Sequence, residues 1–371
     1  MSRFATRVEQ VSISGIREVF EAASADSINL GLGQPDFPAP DHVRAAASEA
    51  IRAGEADAYT SNKGRLELRE AIAAYHDREH GLAVDPENII ATAGGSEALY
   101  LAIAAHVDPG EEVLVPDPGF VSYEALTQLV DATPRPVPVR DDLSLDPAAV
   151  EAAITDDTAL FIVNSPANPT GAVQSEADMQ AFAEIADEHD VVCLTDEVYE
   201  RIRYGVDHHS PMAYGENVVM VNACSKSYSM TGWRLGWIAA DHDRIERMLR
   251  AHQYVQACAS APAQFAAEAA LTGPQDAVAE MVAAFERRRD VLLDGLDDIG
   301  LRTPTPEGAF YAMPEVPEGW VEAVLERDVV VVPGEAFGPS GAGHARISYA
   351  TDVESIKEAL EAMRAATDAV R

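Results

Sequence analysis

Apolar and polar positions alternate along the chain with two different periods between about residues 40 and 270. Short runs rich in β-branched residues predict strands, and the longer stretches between them have the spacing of amphipathic helices. The predicted strands lie at 88–92, 112–115, 160–164, 191–195, 218–223 and 235–239, and the clearest helices at 96–106, 177–189 and 244–257. Strands that alternate with helices predict an α/β fold with a mostly parallel sheet between two layers of helices.

The pattern changes after about residue 270. A charged helix is followed by short apolar runs, which predict a small sheet, and then by a closing helix from about Val353. The charged helix contains residues 286–289, and the runs lie at 309–313, 329–332 and 344–349. At 371 residues the chain exceeds one ordinary domain. We therefore predict an N-terminal arm at 1–30 that packs with the smaller domain, a large domain at 31–270 and a small α+β domain at 271–371.

Aspartate and glutamate number 62 against 27 lysines and arginines, and the formal net charge is −35. The acidic residues are spread over the whole chain, which predicts an acidic solvated surface and argues against nucleic acid and anionic membranes as partners. Such a surface with few lysines is typical of proteins from salt-loving organisms. Because molar salt shortens the Debye length to about 3 Å, we expect a halophilic protein whose self-repulsion is screened in salt.

The three cysteines are Cys193, Cys224 and Cys258. Their odd number and wide spacing predict reduced thiols in the cytoplasm and no metal site. Residues 1–20 mix charged and apolar positions, unlike a signal peptide. No apolar run reaches the roughly 18 residues of a membrane span. We therefore expect a cytoplasmic protein that has no contact with a membrane.

Residues suited to chemistry follow the predicted strands of the large domain, where ligands bind to parallel sheets. Gly94 and Gly95 open a helix whose free amides suit a phosphate, although an ordinary strand-to-helix turn is the alternative. Asn168 lies in a proline-rich turn, which also has a purely structural explanation. Asp196 ends a buried strand, where it either caps a helix or pairs with a positive group. Lys226 follows the next strand along the chain.

Lys226 is one of only three lysines in the chain, the others being Lys63 and Lys357. Arginine stays protonated and cannot form a Schiff base, whereas a desolvated lysine amine is a nucleophile near neutral pH. The ordinary alternative is a solvated surface lysine. Together the strand ends offer an amine, a carboxylate, an amide, a phenol, a guanidinium and free helix amides. A pyridine aldehyde that carries a phosphate would use all of these groups.

With these residues identified, the chain resembles the class I/II aminotransferases, which are fold type I enzymes that use pyridoxal phosphate. The resemblance is to their aspartate, alanine and aromatic branch, and it extends from about residue 30 to 350. The motifs that carry it are Asn168-Pro169-Thr170-Gly171, Asp196-Glu197-Val198-Tyr199, and Ser225-Lys226 followed by Gly232-Trp233-Arg234. It implies a large domain with a seven-stranded type of sheet. It also implies transfer of an amino group from an L-amino acid to a 2-oxo acid, most often 2-oxoglutarate, by ping-pong chemistry.

The resemblance implies a role for each motif residue. Lys226 would form the Schiff base with pyridoxal 5'-phosphate and move a proton, and Asp196 would pair with the ring nitrogen. Tyr199 and Asn168 would hold the ring oxygen, and Phe120 would stack on the ring. The residues implied to surround the phosphate are Gly95, Ser96, Ser225 and Arg234. Lys226, Asp196 and Tyr199 form the implied catalytic set.

Substrate binding and assembly are implied in the same way. Arg346 would grip the substrate α-carboxylate bidentately, with Asn168 and the backbone of Gly33 beside it. Tyr59 would reach the phosphate of a neighbouring subunit. The expected assembly is therefore a homodimer with shared active sites, and the segment near residues 12–16 is expected to help line the substrate pocket.

Two positions depart from the family pattern. Ala223 stands where many relatives have a serine that binds the phosphate, and Ser225 is the expected substitute. Ser96 stands where some relatives specific for dicarboxylic substrates have a lysine, and Glu97 follows it. These two residues argue against a preference for aspartate and leave a neutral or aromatic amino donor open.

Two other functions are compatible with parts of this pattern. A β-eliminating carbon–sulfur lyase would use the same fold and residues, and the sequence does not separate it from a transaminase. A transcription regulator that contains an aminotransferase-like module would need a DNA-binding domain, for which no room is expected before residue 30, and the acidic surface opposes DNA binding.

Overall fold

A mostly parallel seven-stranded sheet forms the centre of the computed structural model, which describes residues 4–12, 15, 24 and 27–371. The short strand β1 (Ile28–Asn29) lies outside this sheet. The seven strands of the sheet are β2 (Ile89–Thr92), β3 (Glu112–Asp117), β4 (Thr133–Pro138), β5 (Thr158–Asn164), β6 (Val192–Asp196), β7 (Val218–Ala223) and β8 (Gly236–Ala239). Their order is β2-β8-β7-β6-β5-β3-β4. Strand β8 is antiparallel to both of its neighbours, and the other pairs are parallel. The central strands are buried on both faces, as their continuous apolar sequences predict.

Helices cover the two faces of this sheet. They are α1 (Thr6–Gln10), α2 (Asp41–Ala53), α3 (Leu66–His80), α4 (Gly95–His106), α5 (Ser122–Leu129), α6 (Pro147–Ala153), α7 (Glu176–His189), α8 (Cys224–Ser227), α9 (His242–Val255) and α10 (Ala261–Thr272). Local sequence sets several of their ends. The side chains of Ser175 and Asp241 accept backbone N–H groups at the starts of α7 and α9. Helices α2 and α3 stop at Gly54 and Gly81, whose positive φ suits glycine.

The last hundred residues build a smaller unit of helices and short strands. Its elements are α11 (Asp276–Asp298), β9 (Tyr311–Ala312), α12 (Trp320–Leu325), β10 (Val329–Val330), β11 (Val332–Pro333), β12 (Ala345–Ser348) and α13 (Val353–Val370). Strands β11, β12 and β9 form an antiparallel sheet, and β10 pairs in parallel with β1. An apolar core that includes Phe285, Trp320 and Ile347 holds these elements together and also contacts Tyr199 and Ile202 of the larger unit.

The predicted fold class is confirmed, and the structure differs from the predicted elements at three places, one of which is the unpredicted β1. Strand β4 (Thr133–Pro138) was not predicted, because three of its six residues are prolines. Proline lacks an N–H, so it is tolerated in an edge strand, and β4 pairs only with β3. The predicted run 329–332 is divided between β10 and β11, which pair in different sheets. Apolar periodicity does not reveal that the N-terminal β1 provides a second partner.

The parallel strands bring their carboxyl ends to one edge of the sheet. Asn164 of β5 is in register with Asp196 of β6, and Asp196 is in register with Val221 of β7. Chain segments that are far apart in sequence therefore emerge side by side at this edge. None of the described helices is long and apolar enough to cross a membrane.

Candidate active site

A cavity of about 250 Å³ opens at the carboxyl ends of β5, β6 and β7. Every predicted site residue except Tyr59 lines it, namely Gly33, Gly95, Ser96, Phe120, Asn168, Asp196, Tyr199, Ser225, Lys226, Arg234 and Arg346. A larger groove of about 1000 Å³ lies at the opposite edge of the sheet, near Asn88 and Val218, and none of these residues lines it. We therefore locate the candidate site in the smaller cavity, where the predicted chemistry converges.

Lys226 projects into the cavity from α8, the single helical turn that follows β7. Its Nζ donates a hydrogen bond to the carbonyl oxygen of Gly33 at 2.6 Å. Burial of the amine and the nearby guanidinium of Arg346 lower the pKa of Lys226 to about 8. At pH 7 about a tenth of such amines are neutral, far more than for a solvated lysine. The amine is therefore suited to nucleophilic and proton-transfer chemistry.

Asp196 is the last residue of β6, and its carboxylate is buried. Oδ2 accepts a hydrogen bond from the hydroxyl of Tyr123 at 2.8 Å, and Oδ1 accepts the N–H of Val198 at 3.4 Å. Burial raises the pKa of Asp196 to about 6. A buried carboxylate that has only neutral donors is costly, so its environment favours a positive ligand group.

Arg346 lies on β12 and is almost completely buried. One terminal nitrogen donates to Oδ1 of Asn168 at 2.9 Å and the other to the carbonyl oxygen of Gly31 at 2.5 Å. The guanidinium lies 4.6 Å from the ring centroid of Tyr311 and 4.7 Å from that of Phe337. Its Nε is buried and has no partner among the described residues. A buried cation with donor capacity left over is suited to a carboxylate ligand.

The glycine turn before α4 forms the opposite end of the cavity. Arg234 packs so closely on Gly94 that a Cβ there would lie 2.6 Å from a guanidinium nitrogen, and Gly94 has a φ of +80°. The same guanidinium lies 3.4 Å from the hydroxyl of Ser96. The first amides of a helix have no partner within the helix, and the helix dipole favours an anion there. The turn and Arg234 are therefore suited to an anionic group such as a phosphate.

Two aromatic residues complete the middle of the cavity. The hydroxyl of Tyr199 is 2.8 Å from that of Tyr311, and burial raises the pKa of Tyr199 well above its usual value. Tyr199 is therefore a protonated phenol that can donate a hydrogen bond. Phe120 lines the cavity and packs edge-on against the ring of Tyr123, and Val198 also lines the cavity. A flat ring bound above Asp196 would have apolar side chains close to it.

The structure adds residues that sequence reasoning did not assign to the site. Tyr123 donates to Asp196, and Tyr311 contacts both Tyr199 and Arg346. Asn164 donates to the carbonyl oxygen of Asp196 at 2.8 Å and accepts the N–H of Asn168 at 2.8 Å. Asn164 ends a predicted strand, so the strand-end rule could have identified it. Tyr311 follows no strand of the large sheet, and no sequence signal marked it.

The lining of the cavity does not test three other predictions from the sequence. Tyr59 is 90 % exposed and does not line the cavity of its own chain. Ser225 lines the cavity beside the buried Ala223, so its proposed substitution for the usual serine stays a prediction. Of the segment near residues 12–16, Ser12 and Gly15 lie among the described residues, and the remaining positions lie outside them.

Comparison with known proteins identifies a matching family. The model of a family described as aminotransferase class I and II matches residues 25–363. A probable aspartate aminotransferase of Methanocaldococcus jannaschii is 42 % identical over 366 residues, with 96 % of this chain and 97 % of the relative covered. Aromatic-amino-acid aminotransferase 2 of Thermococcus litoralis is 39 % identical, with 96 % of each chain covered. The solved aspartate aminotransferase of Rhizobium meliloti has a TM-score of 0.95 at 35 % identity and covers all of both chains.

Proposed function

The chain belongs to the class I and II aminotransferases, which depend on pyridoxal phosphate, and from that premise we propose that its preferred amino donor is an aromatic or other neutral L-amino acid. The relatives are named aspartate and aromatic aminotransferases, so the chain is an aminotransferase. These names give no support to the alternative that the chain is a β-eliminating lyase. We propose 2-oxoglutarate as the amino acceptor. The observation that carries the donor proposal is the composition of the cavity wall.

The cavity residues fit pyridoxal phosphate. The buried carboxylate of Asp196 accepts hydrogen bonds only from neutral donors within the described part of the chain and would pair with a protonated ring nitrogen. The glycine turn beside Arg234 would hold the phosphate, and Asn168 with Tyr199 would face the ring oxygen. When bound, this cofactor supplies an aldehyde that condenses with amines and a ring that withdraws electrons from the adjacent carbon.

Lys226 and Asp196 would provide the proton chemistry of the reaction. Nζ of Lys226 would take the proton from the substrate α-carbon and deliver it to the cofactor carbon that carried the aldehyde, and it would move a proton in the opposite direction when the 2-oxo acid acceptor reacts. The lowered pKa of Lys226, about 8, keeps part of the amine neutral and able to accept that proton. Asp196 would hold a proton on the ring nitrogen, because a buried carboxylate stabilises a positive charge in contact with it.

Arg346 would orient the substrate through its α-carboxylate. Its guanidinium is held by Asn168 and Gly31 and packs against the ring of Tyr311, so it is positioned before substrate arrives. The carbonyl oxygen of Gly33, which accepts from Lys226, lies at the same end of the cavity. A substrate held by Arg346 would therefore lie close to the amine of Lys226.

The cavity wall favours an aromatic or neutral side chain. Within the described residues, its positive side chains are Lys226, Arg234 and Arg346, and each already has a proposed partner. Leu32, Leu99, Phe120 and Tyr311 form much of the remaining wall. A second substrate carboxylate would find no further cation on this chain's part of the wall, and burying an unpaired charge is costly.

We expect kcat/KM for phenylalanine or tyrosine to exceed that for aspartate by about tenfold or more, because an unpaired carboxylate weakens transition-state binding. Titration of the purified protein with single amino acids, followed by absorbance, measures this directly. Release of a 2-oxo acid identifies transamination and ranks the donors together. A preference for aspartate would contradict the proposed donor class, and accumulation of ammonia would contradict transamination.

We also propose a homodimer with shared active sites. Tyr59 and Tyr254 are large, highly exposed aromatic side chains. The amide of Asn62, close to Tyr59 in sequence, donates to the carbonyl oxygen of Ala257, so the two exposed segments meet on one surface. Such a surface suits a second copy of the chain, through which Tyr59 would reach the partner's phosphate site.

Mixing two impaired variants tests this assembly. The Tyr59→Ala chain keeps Lys226, and the Lys226→Ala chain keeps Tyr59, so a mixed dimer would contain one complete site. We expect each variant alone to be impaired at limiting pyridoxal phosphate and the refolded mixture to regain activity. Failure of the mixture to recover, with dimers present by light scattering, would contradict shared sites.

We propose that the protein is adapted to high salt. A formal net charge of −35 on 371 residues generates self-repulsion that molar salt screens. We expect the melting temperature to rise by about 10 °C between about 0.1 M and 2 M KCl, equivalent to a few kcal/mol for a chain of this size. Differential scanning calorimetry measures the shift. A melting temperature that is unchanged or lower in KCl would contradict salt adaptation.

Domain limits and cellular location are two further proposals. We propose the domain limits 1–30, 31–270 and 271–371, since most members of the apolar cluster around Phe285, Trp320 and Ile347 lie after residue 270, with Leu30, Tyr199, Ile202 and Tyr204 joining them from the earlier part of the chain. The pairing of β1 with β10 supports an arm that packs against the smaller unit. We also propose a cytoplasmic location, in keeping with three cysteines that form no disulfide with one another.

A further inference from the structure

Glu97 and His252 form a buried pair directly beside the glycine turn that precedes α4. Nδ1 of His252 lies 2.7 Å from Oε1 of Glu97, and Oε2 of Glu97 accepts the backbone N–H of Ala93 at 2.5 Å. Since an ionised carboxylate only accepts hydrogen bonds, the imidazole is the donor. The side chain of His252 is fully buried, and that of Glu97 is 10 % exposed. The pair therefore links α9 to the start of α4 and to the turn itself.

The turn that this pair contacts is held closely on its other sides. Thr92 accepts the N–H of Gly94 at its carbonyl oxygen and donates its hydroxyl to the carbonyl oxygen of Gly94. A Cβ on Gly236 of β8 would lie 2.8 Å from the amide nitrogen of Gly95, so strand and turn backbones are in direct contact. Arg234 covers the turn from the cavity side. Glu97 and His252 supply the remaining support, at the side where α4 begins.

The position of Glu97 is unfavourable for a phosphate site unless its carboxylate is held away from the anion. Glu97 follows Ser96 in the first turn of α4, where the free amides would meet a phosphate dianion. A mobile carboxylate there would repel the phosphate and compete for the same amide protons. The hydrogen bonds from Ala93 and His252 fix the carboxylate and occupy both of its oxygens.

We propose that His252 and Glu97 are positioning residues, which keep the turn at residues 93–96 in the shape that receives the cofactor phosphate. This inference rests on the proposed cofactor site. Replacing either residue should weaken the binding of pyridoxal phosphate, and the loss should depend on the phosphate group. The contacts with the ring should stay intact, because neither side chain lines the cavity.

The experiment compares pyridoxal phosphate with pyridoxal, which lacks the phosphate. Dissociation constants are measured for both with the apoprotein by equilibrium dialysis. We expect His252→Leu to weaken pyridoxal phosphate binding by about tenfold, a typical effect of removing a hydrogen bond to a charged group, with pyridoxal unaffected. His252→Asn places an amide donor near the position of Nδ1 and is expected to restore most of the affinity.

His106→Leu is the matched control, because His106 lies at the far end of α4 and, among the described residues, its side chain bonds only to the carbonyl oxygen of Ala102. We expect it to leave both dissociation constants unchanged. Should His252→Leu fail to fold, Glu97→Gln, which loses one acceptor oxygen, is expected to show the same selective loss.

Three results would overturn the positioning role: unchanged affinity in the folded variants, equal weakening for both ligands, or the same weakening in His106→Leu. The proposed function fails in a different way. Wild-type apoprotein would then bind pyridoxal phosphate no better than pyridoxal and would form no covalent bond with it at Lys226.

Discussion

Replacing Lys226 by alanine is expected to reduce transamination turnover by about 10⁴-fold, since one positioned acid–base group contributes up to about that factor. Within the described part of the chain, Lys226 provides the only lysine amine of the cavity, and its Nζ is held by the carbonyl oxygen of Gly33 at 2.6 Å. Arginine at this position would keep the positive charge but could not accept a proton near neutral pH. We therefore expect Lys226→Arg to lose about as much turnover as the alanine variant.

Single-turnover release of the 2-oxo acid at saturating donor measures this effect and separates it from binding. Lys357→Arg is a suitable control, because Lys357 is exposed on α13, away from the cavity. Reduction of the wild-type holoenzyme with borohydride should also attach the cofactor to the peptide that contains Lys226. Turnover close to wild type in Lys226→Ala, or attachment at another lysine, would show that the amine has been assigned wrongly.

Replacing Asp196 by alanine is expected to lower turnover by about 10³-fold, while cofactor affinity falls much less. Losing one electrostatic partner of a developing charge typically costs that much in rate. The carboxylate would hold the ring proton that makes the bound ring electron-withdrawing, whereas the phosphate turn and Lys226 would provide most of the binding. Burial raises the pKa of Asp196 to about 6, so without the cofactor it is partly protonated near neutral pH. A cation against it would restore the charged form.

Asp196→Asn and Tyr123→Phe refine this test. Asparagine keeps the shape of the side chain but has no charge, so it should lose nearly as much turnover as alanine. Tyr123→Phe removes a hydrogen bond from a neutral donor and leaves the carboxylate, so a loss of about tenfold is expected. Steady-state turnover is compared with cofactor dissociation constants for all three variants. If Asp196→Ala turned over at the wild-type rate, or lost affinity and turnover in proportion, the assignment to the ring nitrogen would be wrong.

The fold was largely readable from local patterns, with specific exceptions. The strands of the central sheet were predicted wherever β-branched runs are uninterrupted, as in Val218–Ala223. Strand β4 was missed because Pro134, Pro136 and Pro138 argue against a strand, and only its edge position permits them. The division of 329–332 between two sheets depends on pairing with β1, about 300 residues earlier in the chain. Periodicity contains no information about such a distant partner.

The site shows the same division between local and tertiary information. The sequence by itself determined the chemical groups, because the order of the lysine, carboxylate, asparagine and arginine motifs after successive strands is a local property of the chain. It also determined that these groups share one edge, since parallel strands end together. Only the tertiary structure decided which groups touch. Arg346 reaches Asn168 across 178 residues and Lys226 reaches Gly33 across 193, through packing of the smaller unit and residues 31–33 against the sheet. The tertiary structure also decided the contacts of Tyr311, Tyr123 and the pair of Glu97 with His252. These contacts depend on burial and distance, which no spacing in the sequence encodes.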